Sequence, residues 1–323
     1  MIIETARSRL ARAIPWNPIT EIPDSTSMPP SDMPGDKRLI RAAHLQKANC
    51  IIPSLLALLI NVLDENKHER AVVSICGVSG VGKTETAAVI AYGLQMSGVK
   101  AYVLSGDNYP HRIPVYNDAE RLSIFRIEGI RELIARGIYT EERRVVLAGL
   151  QKSGDDADWR QTEANPWLAV YQYGGDNGLR KYLGTQQEID FVELSGIISQ
   201  FKNGADKVFL KRMGREEGTT WYEAVDFRNI DILIVEWTHG NNDNLRGIDI
   251  PVLLYSTPEE TLAHRQARGR DRGADSPFVA RTLGIEAELI LSQAHRAKII
   301  ISNQCEQITF KELSELSRRE DTK

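Results

Sequence analysis

From Ala71 onward, short aliphatic and β-branched runs alternate with stretches whose apolar positions recur at helical spacing, the pattern of a parallel sheet covered by helices. Five runs read as strands: Ala71 to Cys76, Ala101 to Ser105, Ile230 to Glu236, Pro251 to Ser256, and Lys298 to Ser302. Several are continuously apolar, as expected of strands buried on both faces. Between the second and third lies a long, mainly helical insertion at about 117–227. One helix is predicted from about Asn117 to Arg136, with Asn117 and Glu120 spaced as a capping box and Gly137 as a stop. A second runs from about Gln187 to Lys202, and a hairpin (Lys207 to Arg212, Thr219 to Phe227) precedes the third strand. Upstream, a short helix precedes residues 15–36, where Pro15, Pro18, Pro23, Pro29, Pro30 and Pro34 rule out a helix and predict an arm. Apolar residues at helical spacing from Arg38 to Leu63, with a break expected at Pro53, predict a packing or dimer helix.

This pattern predicts a P-loop NTPase-type three-layer αβα fold with a five-stranded parallel sheet. Residues 1–65 form an N-terminal helical extension, and residues 66–323 form one catalytic domain. The length of 323 residues suits one large α/β core with an appendage. A formal net charge of −4 gives no electrostatic footprint for nucleic acid. The apolar stretch Cys50 to Val62 is too short for a bilayer, so no membrane partner is expected. Cys50, Cys76 and Cys305 are widely spaced and odd in number, which fits a reducing cytoplasm better than a disulfide framework.

The strongest chemical signal is Gly77-Val78-Ser79-Gly80-Val81-Gly82-Lys83-Thr84, a G-x-x-x-x-G-K-[ST] run between an apolar strand and an amphipathic helix. Its glycines let backbone N–H groups curl inward around phosphates, and the following helix adds its positive N-terminal field. Lys83 is expected at the β- and γ-phosphates, Thr84 on magnesium, and Glu85 beside the nucleotide. The implied cofactors are ATP and magnesium. Asp107, in Ser105-Gly106-Asp107-Asn108-Tyr109, falls at the carboxyl end of the second strand, where ligands meet open α/β sheets. A carboxylate there can take the proton of an attacking hydroxyl and also lie close to magnesium. Glu236 ends the third strand in the manner of a Walker B acid and is expected to hold the metal through water. Beyond the fourth strand, Thr257-Pro258-Glu259-Glu260 starts a helix bearing Arg265, Arg268, Arg270 and Arg272 into Gly269 and Gly273. That cationic segment, about 265–276, suits a lid, with Arg265 and Arg268 on the nucleotide and Arg268 and Arg270 stabilising transition-state charge.

From Ala71 to Asn303 these residues resemble the kinase superfamily of uridine kinase, phosphoribulokinase and pantothenate kinase. Asp107 and Tyr109 match its D-x-[FY]-type motif, which implies that they lie near the acceptor hydroxyl. Glu236-Trp237-Thr238-His239 is similar to its E-G-x-H motif, with Trp237 in place of glycine. Arg265, Arg268, Arg270 and Asp271 match its R-x-x-R-x-R-D lid. A local likeness to adenylylsulfate kinase, through Gly106-Asp107-Asn108 followed by Arg112, competes, although this chain is much longer than that family needs. The resemblance implies γ-phosphoryl transfer from ATP to a hydroxyl of a small metabolite. A hydrolysing ATPase with no acceptor and a binding module with a silent P-loop are the alternatives. The lack of an N-K-x-D run speaks against a GTPase, and the presence of both Lys83 and Thr84 speaks against a silent loop. His111, Arg112, Arg126, Tyr171, Tyr173 and His239 join Asp107 and Tyr109 as candidates to line the acceptor pocket, and a homodimer through the N-terminal helices is expected.

Overall fold

The computed structural model describes residues 5–24, 28, 32–34, 39–214, 218–268 and 276–320, without the side chains of 267, 268, 319 and 320. The first helix, α1 (Ala6–Arg12), is followed by the long α2 (Ala42–Glu65). The body then begins with β1 (Ala71–Gly77), α3 (Lys83–Met96) and β2 (Ala101–Ser105). The insertion comprises α4 (Pro114–Ala135), α5 (Glu141–Ser153), α6 (Leu168–Tyr182), α7 (Phe191–Lys202), β3 (Lys207–Met213) and β4 (Thr220–Asp226). The chain then returns to the sheet with β5 (Ile232–Glu236) and β6 (Ile250–Leu254), followed by α8 (Pro258–Arg268) and α9 (Pro277–Ser292). It closes with β7 (Ile299–Ile301), β8 (Gln307–Ile308) and α10 (Phe310–Glu320).

The sheet has the order β2-β5-β1-β6-β7-β8. The five expected strands are all parallel within it, and β8 adds an antiparallel edge that its two residues are too short to announce in sequence. The expected hairpin is present as β3 paired with β4, separate from the main sheet. Pro53 does not break α2, which runs through it with buried residues on both sides, including Ile51, Ile52, Leu55 and Leu56. The helix has lost one hydrogen bond there, but its apolar stripe shares a single core with α1, α3 and one face of the sheet. By length and composition α2 could cross a membrane, so the sequence-based length argument fails for it; here its apolar face is spent on packing within the chain.

Two helix starts also differ from expectation. Ile113 precedes α4 with Pro114 in its first turn, so Asn117 is no cap; it is buried and its amide donates to Glu188 Oε1 at 3.0 Å. α7 starts only after Asp190, whose carboxylate accepts from Glu193 N at 2.8 Å. Gly137, at φ +68, does end α4 as predicted. In α6, a Cβ added at Gly175 would lie 2.3 Å from the Phe125 ring, so this glycine lets α6 and α4 approach closely.

Arg70 ties the insertion to the sheet. Its guanidinium donates to Phe201 O and Ala205 O, both at 2.8 Å, and to Phe227 O at 2.7 Å. Arg70→Met would strand these carbonyls, and a stability loss of about 2–4 kcal/mol is expected in urea denaturation. A loss below about 0.5 kcal/mol would show that water replaces the guanidinium without penalty.

Candidate active site

Strand order builds the site. β5 lies between β1 and β2, and in this register Glu236 is the partner of both Ile75 and Ser105. The acid is thereby placed between the strand that feeds the glycine loop and the strand that leads to Asp107. All three features sit at the carboxyl ends of parallel strands, where an open α/β sheet leaves a crevice.

The glycine loop leaves β1 and ends where α3 begins at Lys83. Its backbone needs glycine: Gly80 and Gly82 have φ of +82 and +90. The Lys83 amine donates to Val78 O at 3.1 Å within the loop, in reach of where phosphates would enter. The Thr84 hydroxyl donates to Glu236 Oε2 at 3.1 Å, which joins the two groups expected on magnesium. Glu236 is buried, and its carboxyl is pushed up to about 8, by burial first and by neighbouring Asp107 second, against the pull of Lys83 and Thr84. Such a group is one that a divalent cation would deprotonate and hold. Among the described residues no cluster of three or more His, Cys, Asp or Glu could hold a metal alone. A magnesium ion fits here as it does in P-loop sites, on the Thr84 hydroxyl, one or two carboxylates and phosphate oxygens.

Asp107 sits in a single 3₁₀ turn, Gly106–Asn108, with its carboxylate exposed at the mouth of the site. The Trp237 departure is explained there: a Cβ at Gly106 would lie 2.1 Å from Trp237 Cγ, so the bare glycine accommodates the indole. Trp237 is buried and packs edge-on against His239, with ring centroids 5.2 Å apart.

His239 is buried beside the insertion, where burial lowers its basicity against the opposing pull of Glu188, Glu286 and Asp107. Glu188 anchors a polar network there. It accepts from Arg121 Nε at 2.7 Å, from Asn117 and from Gly184 N at 2.7 Å, while Arg121 also reaches Glu286 at 3.0 Å. Burial pushes Glu188 up, but Arg121 and His239 outweigh it and hold its carboxyl below the usual range. The spacing of Arg121, Glu188 and Glu286 along the chain gives no sign of this meeting, and the sequence reading missed all three.

Several predicted pocket residues stand elsewhere. Tyr109 is fully buried in the core between the sheet and α7. Tyr171 is fully buried in the helical module, donating to Asp156 at 2.8 Å, and Arg126 pairs with the same carboxylate at 3.1 Å. Tyr173 is exposed on the outside of α6 beneath Arg136. Within the helical module the polar ends of Tyr171 and Arg126 are paired and that of Tyr173 is solvated. His111 is exposed, with its ring against Gln186 O at 3.0 Å, and Arg112 reaches Tyr182 and Glu120, at the edge of the Glu188 network. Glu85 is buried in the first turn of α3, with its charge acting on Lys47.

α8 starts as predicted, with Thr257 and Glu260 in a reciprocal capping box. Arg265 is buried against the loop: a Cβ at Gly80 would meet its Cγ at 2.8 Å, and its guanidinium donates to Pro258 O and Thr261 Oγ1. The side chain of Arg268, and all of Arg270, Asp271 and Arg272, lie outside the described residues.

A glycine loop after the central strand of a parallel sheet, a helix opening at Lys83 and a buried acid on the adjacent strand define a P-loop nucleotide-binding protein of the α/β class. No family model matches the chain. Over 238 residues, 74% of its length, the chain is 37% identical to the bifunctional alpha-galactosidase/sucrose kinase AgaSK of Mediterraneibacter gnavus. That match covers 20% of the relative, so the chain spans about a fifth of the length of this curated relative. Solved structures similar to it include D-glycerate 3-kinase from Cryptococcus neoformans, 13% identical at a TM-score of 0.47, over 84% of this chain and 99% of that one. Another, described as a possible uridine kinase from Bacillus stearothermophilus, is 14% identical at a TM-score of 0.41, over 77% of this chain and 98% of that one. The name of the 37% identical relative includes a sucrose kinase.

Proposed function

We propose that the protein is an ATP- and magnesium-dependent kinase that moves the γ-phosphoryl group onto a hydroxyl of a small metabolite. The observation that carries this reading is the contact of Thr84 with buried Glu236 at the foot of the glycine loop, with exposed Asp107 beside them. Magnesium, when bound, would neutralise phosphate charge and orient the triphosphate. The backbone N–H groups of the loop and Lys83 hold the phosphates, while Thr84 and Glu236 face the metal. Asp107 accepts the proton of the incoming hydroxyl as it attacks. Buried Trp237 and the sheet ends behind it exclude water from that side.

A carbohydrate is the acceptor class with the best support, because the name of the 37% identical relative includes a sucrose kinase. The test is acceptor-dependent ADP release across a panel of sugars, nucleosides and sugar acids. ADP release that needs no acceptor would replace this reading with a hydrolytic ATPase. Strong activity on nucleosides alone would remove the carbohydrate.

Glu236 supplies a separate test of the metal. Glu236→Gln is expected to raise the magnesium concentration needed for half-maximal activity by about tenfold, since a neutral amide is a poor ligand for a hard cation. In the unsubstituted enzyme the proton on Glu236 competes with the metal up to about pH 8, so the magnesium requirement should fall between pH 6.5 and pH 8.5. A magnesium curve that is flat with pH and unchanged by Glu236→Gln would remove Glu236 from the metal site.

A further inference from the structure

The phosphate loop has a support that comes from outside the P-loop domain. Lys47, on α2, is buried, and its amine donates to Val81 O at 2.8 Å. One turn earlier, His44 lies against the same part of the loop: a Cβ at Gly82 would meet the imidazole at 2.8 Å. The titratable groups facing Lys47 are Cys305, Glu260 and Glu85, while burial opposes its charge. An amine donates a hydrogen bond whether charged or neutral, so the contact with Val81 O does not depend on that balance.

The bond has a directional consequence. In a trans peptide the carbonyl and the following N–H point in opposite directions. With Val81 O fixed on Lys47, the Gly82 N–H is fixed pointing away from α2. Gly82, at φ +90, could otherwise rotate that peptide at little cost. A loop that binds phosphate through backbone N–H groups loses affinity if one of them must be reoriented on binding. The Cβ space at Gly82 is filled by His44 rather than by solvent, which further restricts the loop.

We propose that Lys47 is a positioning residue for nucleotide binding: α2 of the N-terminal extension holds the Val81–Gly82 peptide in its phosphate-binding orientation. This inference rests on the P-loop reading above. It assigns the N-terminal extension a part in the site that the glycine motif, read alone, does not contain.

The test is calorimetric binding of a magnesium complex of a non-hydrolysable ATP analogue, with thermal melting of the free and nucleotide-bound protein. Lys47→Met keeps the unbranched stem and removes the donor. It is expected to weaken nucleotide binding about tenfold or more and to shrink the nucleotide-induced rise in melting temperature. Lys47→Arg, which restores a donor, should recover part of the affinity. An affinity within twofold of wild type, or a lowered melting temperature with the full nucleotide-induced rise, would overturn the proposal and leave Lys47 a packing residue. Should Lys47→Met fail to fold, the same measurement on Lys47→Ala, which also lacks a donor, decides: wild-type affinity overturns the proposal, and a weakened one supports it. Lys83→Ala is the control. If it too leaves binding unchanged, the P-loop reading itself falls, whereas weakening by Lys83→Ala alone rejects only the role of Lys47.

Discussion

Asp107→Asn is expected to cut acceptor phosphorylation by about 10²- to 10⁴-fold, the usual loss of a general base, while ATP binding survives. The amide keeps the size and hydrogen-bonding reach of the carboxylate but cannot take a proton. Asp107 is well placed for this contrast because its carboxylate is exposed on a 3₁₀ turn after β2 and carries no part of the core. Glu236, by contrast, is buried on the Thr84 hydroxyl. Both variants should be followed by calorimetric nucleotide binding and by turnover across a magnesium titration. If Asp107→Asn moves the magnesium requirement and Glu236→Gln does not, the two carboxylates have exchanged roles.

Lys83→Ala is expected to lower turnover by at least about 10²- to 10³-fold, comparable with losing one preorganised donor at developing charge, without unfolding the protein. Lys83 is only half-buried, and among the described residues its amine bonds to the loop carbonyl of Val78 alone, so its removal opens no core cavity. The melting temperature should therefore stay within a few degrees of wild type while steady-state turnover collapses. Near-wild-type turnover would sink the P-loop reading. A large drop in melting temperature would instead assign Lys83 to the fold.

The arrangement makes a division of labour across the sheet. One face packs on α2 and α3, which back the phosphate loop; the other packs on α7 and the β3–β4 hairpin. The helical module of α4, α5 and α6 has its own core and reaches the main body through α9. The Glu188 network lies at that junction, so its buried ion pairs fix how the module meets His239. Buried pairs of this kind add little net stability but penalise alternative arrangements.

Much of this was legible in the sequence for definite physical reasons. The five apolar runs are strands because both faces of the sheet are covered, which leaves no polar alternation to blur them. The glycine loop is legible because its conformation admits few other residues, and the Thr257–Glu260 cap because its bonds are local. Local rules failed where packing overrode them: Pro53 stays inside α2, and Asn117 serves Glu188 instead of a helix end. Tyr109, Tyr171 and Tyr173 carry the chemistry of a pocket, but only burial decides whether an aromatic ring lines a site or fills a core. The strand order, which sets Glu236 between Ile75 and Ser105, and the approach of Lys47 to Val81 across 34 residues were decided by tertiary structure alone. Pairings between distant segments leave no period or spacing in the chain, because they are fixed by which surfaces can be buried together and not by any neighbour in sequence.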